Sequence, residues 1–478
     1  MSGKNEGASH VSILSTPFGG TKEQVELLEE LKTQFTITTD ILKKVATELR
    51  SKMDDGLKTL DSCVPMLPSW ITSHPTGQET GEYLGLELTG STIRVYLVTF
   101  QGRGRVATRQ QKYTMTDAMK KSNINSLLDK LAEMVDQFLS FVGKGSPSGQ
   151  PLALGFVLSF PLNQTAINKA SVEKWTKSFA ITGYENKNIS ELLQGALNRK
   201  SIPVKVVAVL NGATASLLAN GYRSLDTLLS CTISNGTNAA YWEKLNEVTK
   251  LGPKAASEKN DDMEMIINTE WGSFGDNNRK VLPLSMYDNR VNRQSDNPGI
   301  HTFEKMVSGQ YLGEIVRTII VEFMDRRVLF DGEYTKELNT PYGFDTSYMG
   351  RIGMDSSSDL EDTGHVLEDI MGLSPTSLDD RRIVKIICEL VSQRAARLSG
   401  AAISAIINKR NALDDVATIS VEGIIYEHFP NFPRRLTESL RRIYGDGLVD
   451  RINIMVTKDG NGIGAAIGAM IAVGGGGQ

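Results

Sequence analysis

The chain has 478 residues, 40% of them hydrophobic and 23% charged, with a formal net charge of -4. That length exceeds one ordinary domain and points to two or three. The composition is ordinary for a globular protein, and the slight acidity argues against a surface built mainly for nucleic acid. No run approaches the ~18 consecutive apolar residues of a membrane span.

The N-terminus, MSGKNEGASHVSILSTPFGG, lacks a basic flank followed by an apolar core. It reads as a disordered tail over 1–21 rather than a secretory signal. Residues 22–57 read as two helices, with Thr39 or Asp40 able to cap the second. Pro65, Pro68 and Pro75 mark an extended connection. YLGLEL (83–88), STIRVYLVTF (91–100) and RVATRQQKYTM (105–115) then predict an antiparallel meander. An amphipathic helix over 123–142, a buried strand over 152–160, a helix over 189–199 and a strand over 204–210 follow.

The second half repeats the pattern. TLLSCTIS (227–234) and TNAAYWEKL (237–245) predict a hairpin, and MEMIINTEW (263–271) a third strand. Helical patterns at 302–329 and 380–409, a strand at 416–423, a helix at 429–444, a strand at 451–456 and a last helix from about 463 complete the chain. LGLELTGSTIRVYL and LSCTISNGTNAAYW share the order strand, polar residue, Gly, hydroxyl residue, strand. Two such turns, at Gly90-Ser91 and Gly236-Thr237, suggest a duplicated domain around a cleft. Their backbone N–H groups could face a polyphosphate from both sides.

Cys63, Cys231 and Cys388 lie far apart without CxxC spacing, as expected of reduced core thiols in the cytosol or nucleus. His10, His74, His301, His365 and His428 show no ligand spacing, so no protein-held metal is expected. DGNGIGAAIGA (459–469) follows a strand and opens a helix, but the chain ends before the acidic ribose residue of a dinucleotide fold. Close helix packing, or a helix N-terminus near a phosphate or adenosine, fits it better. In VVAVLNGATASLLANGY (206–222) a buried strand runs into a helix through Asn211-Gly212, where an open α/β sheet places ligand-binding side chains.

LSFPLNQTAINKASVEKWTKSF, INTEWGSFGDN, NPGIHTFEKMVSGQYLGEIVR and RRIVKIICELVSQRAARLSGAAISAI together resemble the eukaryotic hexokinase and glucokinase family, in its fungal branch. The resemblance runs from about Val25 to Ala472. It implies an α/β fold of the sugar kinase superfamily, with two actin-like (ribonuclease H-like) domains around a sugar-binding cleft. Helices over 22–64 would pack on a large domain of 212–457, facing a small domain of 65–211 plus 458–478. It also implies a glucose pocket of Ser159, Thr176, Lys177, Asn211, Asn238, Glu270 and Glu304. A hexose offers only hydroxyls, so amides, hydroxyls and carboxylate acceptors suit it.

The catalytic positions depart from the family. The residue after Asn211 is an Asp there, the base for the sugar 6-hydroxyl, and here it is Gly212. General bases contribute on the order of 10²–10⁴ in rate. The family's nucleotide loop Asp-Leu-Gly-Gly-Thr is Glu87-Leu88-Thr89-Gly90-Ser91, followed by Arg94. Any positive φ required at β-branched Thr89 would be strained. The second loop, Gly-Thr-Gly in the family, is Ser234-Asn235-Gly236, and the adenosine segment is Glu422-Gly423-Ile424. ATP with Mg2+ is the implied cofactor, bound weakly if at all. Three functions follow: a hexose-binding regulator in carbon signalling with a protein partner, a working ATP-dependent hexose or hexosamine kinase, or a scaffold that binds neither ligand. The expected location is the cytoplasm, with nuclear or organelle-surface association left open.

Overall fold

The computed structural model describes residues 19–144, 150–175, 179–252, 262–414, 416–457 and 459–474. Most of the N-terminal tail, together with Thr176 and Lys177, lies outside the described residues. The chain is an α/β protein built on two related sheets, of five and six strands.

In the first sheet β2 (Thr80–Leu88), β3 (Thr92–Gln101) and β4 (Val106–Thr114) form the antiparallel meander. β5 (Leu152–Leu158) then pairs parallel to β2, and β8 (Val204–Asn211) parallel to β5. In the second, β9 (Thr227–Ile233), β10 (Thr237–Lys244) and β11 (Glu264–Asn268) repeat the meander. β12 (Ala417–Glu422) pairs parallel to β9 and β13 (Ile452–Val456) parallel to β12. The repeated grammar of the sequence is thus a repeated topology. A two-residue β1 (Leu67–Pro68) on β11 and a β6 (Leu162–Ala166)–β7 (Lys169–Val172) hairpin add to it.

Three apolar cores follow from the period of each element. Leu28, Leu31 and Phe35 of the helix Lys22–Phe35, with Leu42, Val45, Leu49 and Met53 of the helix Thr39–Lys58, join the core of the six-stranded sheet. That core includes the 33-residue helix Leu378–Arg410. The helices Ile124–Phe141 and Ile189–Arg199 cover the five-stranded sheet. A third core joins the sheets through the helices Gly212–Arg223 and Gly460–Ala472, with Leu210, Leu217, Ile463 and Ile467 fully or almost fully buried. These two helices touch at the Gly464 position, where a Cβ would stand 1.8 Å from the Ala215 carbonyl oxygen. The glycines of DGNGIGAAIGA therefore serve close helix packing.

Several boundaries differ from the sequence reading. Thr38, not Thr39 or Asp40, caps the second helix by accepting from the Ile41 N–H. The pattern over 302–329 is two helices, Thr302–Val307 and Gly309–Asp325, broken at Ser308. The helix expected from 429 begins at Phe432, and the last one begins at Gly460.

Candidate functional site

β8 delivers Asn211 to its carboxyl end, where the side chain caps the helix Gly212–Arg223 by accepting from the Ala213 N–H at 3.0 Å. Asn211 Nδ2 reaches the Phe160 carbonyl at 3.3 Å and Glu270 Oε1 at 3.4 Å. From β10, Asn238 Nδ2 donates to Glu270 Oε1 and to Asn268 Oδ1, each at 2.8 Å. Asn268 Nδ2 also donates to Glu270 Oε1, at 2.8 Å. One carboxylate oxygen therefore gathers three amides from β8, β10 and β11. Burial pushes the Glu270 pKa up, against the lowering effect of the Asn268 bond. Its backbone is left-handed, with φ 51° and ψ 39°, an uncommon conformation for a residue with a side chain.

Glu304, in the helix Thr302–Val307, accepts from the Thr237 N–H at 2.9 Å. A Cβ at Gly236 would stand 2.9 Å from Glu304 Oε2, so a side chain there would shift this carboxylate from its present position. His301 Nδ1 lies 3.4 Å from Glu304 Oε1. Burial works to lower the His301 pKa, but Glu304, with Glu270 and Asp276 beyond it, raises it above the ordinary value. Asp276 accepts from the N–H groups of His301 and Thr302, both at 2.8 Å, which fixes the start of that helix. The structure thus brings Asn211, Asn238, Glu270 and Glu304 to one cleft, and adds Asn268 and His301, which sequence reasoning missed.

Gly212 stands beside this cluster. A Cβ there would meet Asn461 Oδ1 at 3.4 Å and Ser159 Oγ at 3.6 Å, ordinary contacts that leave room for a side chain. Asn461, also missed, donates from Nδ2 to Glu87 Oε1 at 2.9 Å. Glu87 is buried, accepts from the Tyr96 hydroxyl at 3.1 Å, and has Arg94 at 3.6 Å. Glu422 accepts from the hydroxyls of Ser216 at 2.7 Å and Thr232 at 3.0 Å. Burial, opposed by those two bonds and assisted by Glu87, pushes its pKa up to about 7.

Several polar backbone groups of the nucleotide loops are bonded within the protein. Thr89 is not among the residues of positive φ, so the expected strain there is absent. Its hydroxyl instead accepts from the N–H groups of Thr92 at 3.0 Å and Ser91 at 3.4 Å, occupying donors a phosphate would need. In the second loop Glu304 takes the Thr237 N–H, and Ser234 N donates to the Gly236 carbonyl at 2.9 Å. The Asn235 carbonyl accepts from Gln310. Gly423 has φ 123°, and a Cβ there would stand 2.4 Å from the Ile233 carbonyl oxygen, so no other residue fits. Ile424 after it is half exposed. These residues fit ATP with Mg2+ poorly. Among the described residues no group of three or more His, Cys, Asp or Glu could hold a metal, and no helix is long and apolar enough to cross a membrane.

A duplicated βββαβαβ fold with a cleft lined by amides and carboxylates places the chain in the sugar kinase class. Two family models, both described as hexokinase, match residues 27–222 and 228–471. The chain is 35% identical to hexokinase-2 of Saccharomyces cerevisiae over 94% of its own length and 93% of that protein's. It is 36% identical to hexokinase-1 of Schizosaccharomyces pombe over 92% of its length and 89% of the relative's. Its fold matches the hexokinase of Schistosoma mansoni complexed with glucose with a TM-score of 0.84 at 30% identity, covering 93% of this chain and 99% of the other. The chain belongs to the hexokinase family.

Proposed function

We propose that this protein binds a hexose in the cleft, has lost or greatly reduced ATP-dependent phosphorylation, and acts as a regulator in carbon signalling. The observation that carries this reading is Gly212 at the end of β8, flanked by Asn461 and Ser159 and bearing no proton acceptor. Phosphoryl transfer is mostly positioning and electrostatics, and in the loops that should hold the nucleotide the Ser91, Thr92 and Thr237 N–H groups are already bonded to protein acceptors. The pocket proposed for the sugar is Ser159, Thr176, Lys177, Asn211, Asn238, Glu270 and Glu304. The glucose in the similar Schistosoma mansoni structure supports hexose as the ligand class. Residues 65–211 with 458–478 form the proposed small lobe and 212–457 the large one. Hexose, touching both, favours the closed form that a protein partner reads in the cytoplasm.

A working kinase is the second reading, and Glu422 is the observation in its favour. Its carboxyl is pushed up to about 7, near the pH at which a base operates. Its carboxylate, however, is bonded by the hydroxyls of Ser216 and Thr232, which are not residues of the proposed sugar pocket. A coupled ADP-release assay with glucose, fructose, mannose and glucosamine, beside calorimetric sugar titration, separates the readings. Binding without turnover supports the regulator, ordinary turnover the kinase, and no binding a ligand-free scaffold.

A further inference from the structure

Asn461 is held by its amide nitrogen. Nδ2 donates to Glu87 Oε1 at 2.9 Å, and Glu87 also accepts from Tyr96, so the NH₂ end of the amide faces the carboxyl group. The other end, Oδ1, is shielded from solvent and receives no donor from the described residues. It lies 3.4 Å from the point where a Cβ at residue 212 would stand; Asn461 Nδ2, committed to Glu87, and Ser159 Oγ each lie 3.6 Å from that same point. A buried acceptor thus borders the gap left by the missing side chain, next to Asn211. An enclosed acceptor without a donor is unfavourable, and a hydroxyl entering the gap would satisfy it.

We infer that Asn461 is a specificity-determining residue, accepting a hydrogen bond from the primary hydroxyl of the bound hexose in place of the absent carboxylate. This rests on the hexose-binding reading above. An amide oxygen accepts a hydrogen bond but takes no proton near neutral pH, so the hydroxyl is recognised and left unreacted. The Glu87 contact has a role of its own here: it keeps the amide from turning its NH₂ toward the sugar. Glu87 therefore acts on the ligand only through Asn461, as a positioning residue.

The test is calorimetric titration of glucose and 6-deoxyglucose into the full chain and into Asn461→Ala and Asn461→Ser, with thermal unfolding to check that each variant folds. The full chain should prefer glucose by about five- to tenfold, the worth of one neutral hydrogen bond. Asn461→Ala should lose that preference by weakening glucose alone, and Asn461→Ser should keep part of it. Equal affinity of the natural chain for both sugars overturns the inference. So does a variant that weakens both sugars equally, as expected if an ordered water fills the gap. If the natural chain binds neither sugar, the hexose-binding reading itself fails, an outcome distinct from the other two.

Discussion

Asn238 and Glu270 are bonded to each other twice. Asn238 Nδ2 donates to Glu270 Oε1 at 2.8 Å, and the Glu270 N–H returns a bond to Asn238 Oδ1 at 3.0 Å. The pair crosses from β10 to the turn after β11, and it holds Glu270 in a left-handed conformation that its side chain would not favour. Two adjacent strands thereby fix where the carboxylate points.

Breaking that reciprocity should cost sugar affinity more than stability. Glu270→Gln places an amide donor among amide donors, and Asn238→Ala removes both bonds. Each should weaken glucose binding by roughly 10–100-fold, the range for a hydrogen bond to a charged group. Titration calorimetry on the folded variants reads this directly, and unchanged affinity would remove Glu270 from the proposed pocket.

Much of this framework was legible in the sequence, and the reasons are local. The apolar runs of β2 and β3 and the apolar stripe of the helix Ile189–Arg199 are each set by neighbours within a few residues. Ser308 breaks a continuous helical pattern because the Gly309 N–H is drawn to the Ser234 carbonyl at 2.7 Å, a contact no periodicity contains. Thr38, Thr39 and Asp40 are all capping types, Asp40 the stronger one, but the backbone is extended at Thr38, whose hydroxyl takes the Ile41 N–H. Asn461 was passed over because its partner Glu87 is 374 residues away. His301 carried no metal spacing, and its relation to Glu304 becomes visible only once Asp276 fixes the helix start.

The lobes should close on sugar. Leu210 and Ile467 pack in the core that joins the two sheets, so a hinge there lets the sheets rotate while each keeps its own core. Small-angle scattering should show a smaller radius of gyration with saturating glucose. An unchanged profile in a sample that calorimetry shows to be saturated would count against closure as the signal.

Stability should fall as pH rises through neutrality. Glu422 has a folded pKa raised from 4.5 to about 7, so the folded state binds this proton more tightly than the unfolded chain. Its contribution is fully present below the unfolded value and is lost as pH rises through about 7. His301, raised above 6.5, adds a loss of the same sign at the upper end. Melting curves from about pH 5 to about pH 8 should show this decline, and Glu422→Gln, which mimics the protonated acid, should flatten its Glu422 part. A Glu422→Gln profile identical to that of the natural chain would show that the carboxyl does not titrate in this window.

Restoring the carboxylate alone should not restore a kinase. The Cβ of Gly212→Asp meets nothing closer than 3.4 Å, so the variant should fold, and its carboxylate would lie beside the Asn461 amide. Sugar affinity should improve before rate does, because a base acts only on a sugar facing a well-held phosphoryl donor. Nothing in the single change frees the Ser91 and Thr92 N–H groups from the Thr89 hydroxyl, or alters Ser234, Asn235 and Ile424. Thr89→Gly removes that internal acceptor, and Ile424→Ser returns a hydroxyl beside Gly423. The variant combining Gly212→Asp, Thr89→Gly, Ser234→Gly, Asn235→Thr and Ile424→Ser should therefore gain far more than the sum of its parts, since residues acting as a unit are not additive. ATP-dependent glucose phosphorylation by the natural chain and both variants, measured side by side, decides it. The natural chain should turn over at least ~100-fold slower than a family member with its base in place. If Gly212→Asp alone reaches ~10 s⁻¹, the usual enzyme median, then the loops bind nucleotide despite their internal bonds and the missing carboxylate was the whole defect.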